Sequence, residues 1–167
     1  MLHVAQHPPP VRGRRAPRAI SLLELLAVVA VLGILAAVGV GRLASGTLQD
    51  VGARTDAQRL AADLAQARRR SIATGENHYV GFTTGAGGTA TGYTLYRRSA
   101  SEGNVAVDEP RRFGGGVVVS SAHSDAEFTF EGAALAAYQV TLAGPEQTWR
   151  VEVVPVTGSA AVSQVVP

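Results

Sequence analysis

From Ile20 to Val40 the chain is apolar or small at nearly every position, and the one charged residue in the run is Glu24. A helix rises about 1.5 Å per residue, so this run matches a hydrocarbon core of about 30 Å and is expected to cross a bilayer once. Arg12, Arg14, Arg15 and Arg18 precede it, and no basic residue follows before Arg42. That asymmetry predicts that Met1 to Ala19 stays in the cytoplasm and that the chain beyond Arg42 is delivered to the other side. An unpaired carboxylate in hydrocarbon costs several kcal/mol, so Glu24 demands a partner.

The pattern then becomes amphipathic. From Thr47 to Thr74, Leu48, Val51, Ala57, Leu60, Ala61, Leu64, Ala67 and Ile72 recur at three- and four-residue steps, while Arg54, Asp56, Arg59, Asp63 and Arg69 fall on other faces. The spacing predicts a helix that continues the apolar run, about 50 residues or 80 Å in all, with its stripe packed on a sheet. Arg68, Arg69 and Arg70 are expected in its last turns, complementing the helix dipole, with Gly75 as the cap. Gly39 and Gly41 weaken a helix by about 1 kcal/mol each and mark a soft point.

Beyond Glu76 the period shifts to two. Tyr79 to Thr83 and Tyr93 to Arg98 flank a Gly-rich connection, Gly85 to Gly92, and read as a hairpin. Ser99 to Arg112 reads as a loop. Further strands are expected at Val117 to Ser120, Glu127 to Phe130, Tyr138 to Leu142, Trp149 to Val154 and Ala160 to Val165, with turns at Glu131-Gly132, Gly144-Pro145 and Thr157-Gly158. Six or seven antiparallel strands against one long helix make an α+β fold.

Composition narrows the picture. A chain of 167 residues leaves room for one ordinary domain after the leader and the span. Without the four leader arginines the basic count falls from 15 to 11 against 13 acidic residues, so the pI of 9.5 says little about a nucleic-acid partner. No cysteine is present, so the domain must hold by packing without disulfides. Met1 to Ala19, with His3, His7 and the Pro8-Pro9-Pro10 run, lacks apolar periodicity and is expected to be disordered before any cleavage.

The basic leader followed by ISLLELLAVVAVLGILAAVGV resembles the N-terminus of type IV prepilins and pseudopilins. The resemblance implies cleavage between Ala19 and Ile20 by a membrane-embedded prepilin peptidase and methylation of the new amine on Ile20. It also implies a partner for Glu24, since the family's carboxylate there pairs with the terminal amine of a neighbouring filament subunit. The family usually has Gly before the cut, where this chain has Ala19, and often Pro where it has Gly41. An ordinary signal peptide cut after Ala37-Val38-Gly39 is a competing reading, though the run is long for one and contains Glu24. An uncleaved anchor is another, and it leaves the carboxylate unexplained.

RLAADLAQARRRSIATGE, FTFEG, TWRVEVVPVTG and the lack of cysteine resemble the GspH/FimT group of minor pseudopilins. The resemblance implies three parts: a cytoplasmic leader at 1–19, a transmembrane and filament-core helix at 20–41, and a periplasmic domain at 42–167, helical to about 74 and then β. It further implies a structural subunit of a type II secretion pseudopilus. Its partners would be other pseudopilins through the N-terminal helix, the prepilin peptidase and the secretion platform of the inner membrane. A minor pilin of a type IV pilus or DNA-uptake machine is the alternative, and a membrane-anchored binding domain that never polymerises is a third reading.

The remaining polar residues do not assemble an enzyme. His123-Ser124-Asp125 has the residue types of a hydrolytic triad, but consecutive residues cannot take up the required mutual geometry. Asp108 and Glu109 have no third carboxylate nearby in sequence and read as solvated loop charge rather than calcium ligands. Gly85-x-Gly87-Gly88 lacks both the Lys and the helix of a phosphate loop. No catalytic residue, metal or cofactor is expected. Nucleic acid is not the expected partner: the tail SAAVSQVVP has no arginine, and Arg68 to Arg70, Arg97-Arg98 and Arg111-Arg112 read more simply as helix-capping and solvated-edge residues than as a phosphate-binding face.

Overall fold

The computed structural model describes residues 22–85, 87–99 and 101–166, with the side chains of 37–47 excepted. The leader 1–19 and the expected cut between Ala19 and Ile20 lie outside the described residues. The chain divides between Val40 and Gly41 into two compact units. Helix α1 (Leu22–Thr74) enters both, and within the first unit it is the described structure.

In the second unit α1 becomes a packing helix. Its buried side is Asp50, Ala53, Asp56, Ala57, Leu60, Asp63, Leu64, Ala67 and Ser71, a three-and-four spacing that keeps one stripe facing the sheet. The sequence placed Leu48, Val51 and Ile72 in that stripe, and all three are exposed. Asp50 takes the inward position because its carboxylate accepts the backbone N–H groups of Glu146 and Gln147, each at 3.1 Å. That contact turns Leu48 and Val51 outward. At the other end Gly75, at φ +70°, closes the helix with its N–H donating to Ser71 O, so a left-handed residue ends it as expected. The last turn contains no basic residue; Arg68, Arg69 and Arg70 lie above it.

Among the described residues nine antiparallel strands follow: β1 (His78–Thr84), β2 (Ala90–Ser99), β3 (Gly103–Ala106), β4 (Arg111–Arg112), β5 (Val118–Ser121), β6 (Asp125–Phe128), β7 (Tyr138–Ala143), β8 (Thr148–Val153) and β9 (Ala160–Val165). They form one sheet in the order β6-β1-β2-β5-β7-β8-β9, with β3 and β4 also paired to β2. The α+β arrangement stands as expected, with more strands than the sequence indicated. Strands β3 and β4 lie inside the segment read as a loop; β2 is long enough to pair in succession with β3, β4 and β5 along one side. Strand β6 begins two residues earlier than expected, because pairing of Asp125 with Gly81 and of Phe128 with His78 sets its register.

The core lies between α1 and one face of this sheet. Leu60, Leu64, Val80, Val119, Phe128, Val140, Leu142 and Val151 are its largest fully buried apolar side chains. Under the helix end, Ser71 Oγ lies 3.2 Å from Phe128 O and accepts the His78 N–H at 3.0 Å, joining the helix to β6 and β1.

Three carboxylates share the buried stripe. Besides Asp50, Asp56 Oδ2 accepts the Gly114 N–H at 2.7 Å, and Asp63 Oδ2 accepts the Tyr93 hydroxyl at 2.6 Å with Arg111 Nη1 3.4 Å away. The helical period had put Asp56 and Asp63 on other faces. They are buried because each meets a donor brought from a distant segment, which offsets the desolvation of the charge. Burial first, and then the hydrogen bond and charge of Asp63, push the Tyr93 phenol well above its ordinary value.

Leu64→Ala is expected to lower the unfolding free energy by about 2–5 kcal/mol, and Leu48→Ala, at a side chain 69% exposed, to change it by less than about 0.5 kcal/mol. Urea unfolding followed by the single tryptophan, Trp149, checks both. A phenol whose folded-state pKa is raised stabilises the fold below its unfolded pKa of 10.0 and loses that contribution as pH rises further. Tyr93→Phe is therefore expected to cost about 1–3 kcal/mol at neutral pH and to flatten the alkaline loss of stability above about pH 10, measured by urea unfolding across that range.

Candidate assembly site

Glu24 lies in the first turn of α1. Around it, Leu22, Leu23, Leu25, Leu26, Val28, Val29, Val31, Leu32, Ile34 and Leu35 are all exposed, so this part of the helix is apolar on every side. A helix of that kind is suited to lipid or to other apolar helices and is poorly suited to water. Among the described residues no helix is long and apolar enough to cross a membrane; side chains in this run are described from Leu22 to Ala36. A carboxylate in the first turn complements the positive end of the helix dipole. Ala19 and Ile20, its companions in the expected site, lie outside the described residues.

The structure disperses the other sequence candidates. His123 packs edge-on against Tyr138, with ring centroids 5.1 Å apart; the Ser124 carbonyl accepts the Phe82 N–H; and Asp125 sits in β6 with Arg98 3.8 Å away. Each of the three serves a structural contact. Asp108 accepts from Arg70 at 3.2 Å and from Gln66 at 3.3 Å. Among the described residues no three His, Asp or Glu side chains group to hold a metal. The Gly-rich stretch is the β1–β2 connection, with Gly85 N–H donating to Thr89 O.

Of the arginines that a basic face would require, Arg68, Arg70, Arg97, Arg98 and Arg111 face carboxylates or carbonyls, while Arg69 and Arg112 are exposed. Arg68 donates to Gly132 O at 3.0 Å, Arg97 pairs with Glu76 and Glu102, and Arg111 lies beside Asp63. Arg98 holds buried Glu127 through both Nε and Nη2, the shorter bond at 2.6 Å, and lies over the Tyr79 ring. The Glu127 hydrogen bond raises the Arg98 guanidinium, and burial raises the Tyr79 phenol. Tyr79 in turn stacks on Tyr96 at 5.1 Å. The sequence reading missed this cluster and the inward aspartates; their period-two and heptad-like positions were the available signal, but the donors that make them tolerable are 29 or more residues away in sequence.

Comparisons agree with this arrangement of helix and sheet. The minor pseudopilin EpsH of the Vibrio cholerae type 2 secretion system superposes with a TM-score of 0.54 at 13% identity, covering 69% of this chain and 97% of EpsH. A second EpsH structure gives 0.55 at 11%, covering 71% and 98%. The type IV minor pilin FimU of Pseudomonas aeruginosa gives 0.55 at 10%, covering 66% and 87%. At these identities the likeness is one of fold. Among curated proteins none matches the chain by sequence. The family model described as type II transport protein GspH matches residues 56–157, from the buried half of α1 through the β8–β9 turn. The chain thus belongs to the GspH family of minor pseudopilins, which are structural subunits of type II secretion and not enzymes.

Proposed function

We propose that this chain is made as an inner-membrane precursor, cut between Ala19 and Ile20, methylated on Ile20 and built into a short periplasmic pseudopilus. Family membership implies assembly with other pseudopilins, an inner-membrane anchor and a periplasmic domain. The finer assignment divides the chain into a leader at 1–19, a membrane and filament-core helix at 20–41 and a periplasmic domain at 42–167. The prepilin peptidase and the inner-membrane platform are its processing and assembly partners. The observation that carries this reading is Glu24 in the first turn of a helix whose surroundings are apolar on every side.

The chemistry is one of charge neutralisation. A cut before Ile20 creates an ammonium, and Glu24 of an adjacent subunit supplies the opposite charge in a medium where either group alone is costly. The apolar helices then pack together without an uncompensated charge. A minor pilin of a type IV pilus is the second reading, favoured by the fold likeness to FimU at the same TM-score as EpsH. Both readings use the same helix and differ in the filament joined.

Mass spectrometry of the membrane-extracted protein is expected to find an N-terminus at methylated Ile20; a chain intact from Met1, or trimmed beyond Val38, overturns the processing scheme. Glu24→Ala is expected to leave membrane insertion intact and to reduce co-isolation with other pseudopilins at least about tenfold, the loss of one desolvated charge pair. Unchanged co-isolation removes the assembly role of the carboxylate.

A further inference from the structure

The two ends of the sheet are built differently. Strand β6 is four residues long and carries Asp125 and Glu127. Its outer side is covered by residues 133–135, with the Leu135 N–H donating to Glu127 O and Phe128 bridging Ala134. Such short, charged and covered strands resist further pairing. Strand β9 has none of these guards. It is six residues long and pairs residue for residue with β8, and from Ser159 to Val166 it contains neither a charge nor a proline. Among the described residues no backbone bond reaches its outer side.

The ladder identifies which groups face outward. The Val154 N–H donates to Ser159 O, and antiparallel pairs alternate between bonded and unbonded. Ala161, Ser163 and Val165 therefore bond to β8, while Ala160, Val162 and Gln164 direct their N–H and C=O groups away from it. The neighbouring ladder gives the same phase: the Gly144 N–H donates to Gln147 O, which makes Leu142 with Trp149, and Val140 with Val151, the bonded pairs of β7 and β8.

The three outward residues are symmetric about Val162. We propose that β9 is a docking edge for a second copy of this chain, two β9 strands pairing antiparallel with Val162 opposite Val162 and Ala160 opposite Gln164, so that one sheet runs through both molecules. Every outward donor then meets an outward acceptor. Identical strands bring no like charges together, because the edge carries none. The Val162 and Ala160 side chains, half-buried on the core side, gain cover from Val162 and Gln164 of the second copy. An isologous two-fold contact of this kind closes on itself and leaves no free edge. The inference rests on the strand edge alone and is independent of processing at Ile20 and of Glu24.

The lack of native cysteine makes the test clean. In the full chain in its membrane, Val162→Cys places two thiols on directly opposed residues about 5.5 Å apart at Cα, within disulfide range. Gln164→Cys places them four residues out of register, about 14 Å apart, which is beyond it. On oxidation V162C is expected to run at twice the chain mass and Q164C at the monomer mass. Adding Gln164→Pro, which removes an outward donor and leaves the β8 ladder untouched, is expected to reduce the V162C cross-link at least about tenfold. A monomeric V162C whose thiol still reacts with a maleimide overturns the proposal. So does equal cross-linking of both variants, or a V162C adduct of another mass, which assigns the edge to a different subunit. Sedimentation of the unmodified chain in mild detergent gives a second reading free of substitutions: dimer is expected, and monomer at all concentrations overturns the proposal.

Discussion

The buried stripe of α1 must satisfy two opposed demands: it seals an apolar core and at the same time carries three carboxylates into it. Leu60, Leu64, Ala57 and Ala67 supply the apolar contact with the sheet. Asp50, Asp56 and Asp63 flank them and reach the β7–β8 turn, the Gly114 amide and the Tyr93 hydroxyl in turn. Desolvating a carboxylate is costly unless hydrogen bonds replace the lost water, so each contact holds only if its loop or strand is in place. The helix thereby sets the position of three segments distant in sequence, and those segments fix how the helix is rotated. The exposure of Leu48 and Val51 follows from that rotation.

The same helix carries a second regime. From Leu22 to Leu35 it has no polar side to turn toward water, and its one charge is placed at the first turn. In the domain half, carboxylates are satisfied by donors from the same chain. In the apolar half, the proposed partner for Glu24 comes from a neighbouring subunit. One physical rule, that a desolvated carboxylate needs a donor or a cation, serves folding in one unit and underlies the assembly role proposed for the other.

Charge also ties the sheet together from within. Arg97, Arg98, Arg111 and Arg70 are each met by a carboxylate within the domain, so these four arginines act as internal ties. At the ends of the sheet the arrangement is unequal: acidic residues and a covering loop close β6, and a neutral, regular strand stands at the other end. A pseudopilin domain must meet other molecules, and an edge of backbone donors and acceptors is a surface that recognises shape and register in place of charge.

The apolar run, Glu24, the long helix, the Gly75 cap and most of the strands were legible in the chain, because each rests on local periodicity or on a residue with special backbone freedom. The family resemblance was legible too, since it rests on the first helix and on the spacing of later turns. What the chain alone could not convey was which charged residues lie inside. Asp50, Asp56, Asp63 and Glu127 look like surface residues until Gln147, Gly114, Tyr93 and Arg98 are brought to them. The short strands β3 and β4 likewise exist because β2 offers them a partner, not through their own pattern. Local propensity is set by neighbours in sequence; burial of charge and the pairing of short strands are set by neighbours in space, and the tertiary structure alone supplies those.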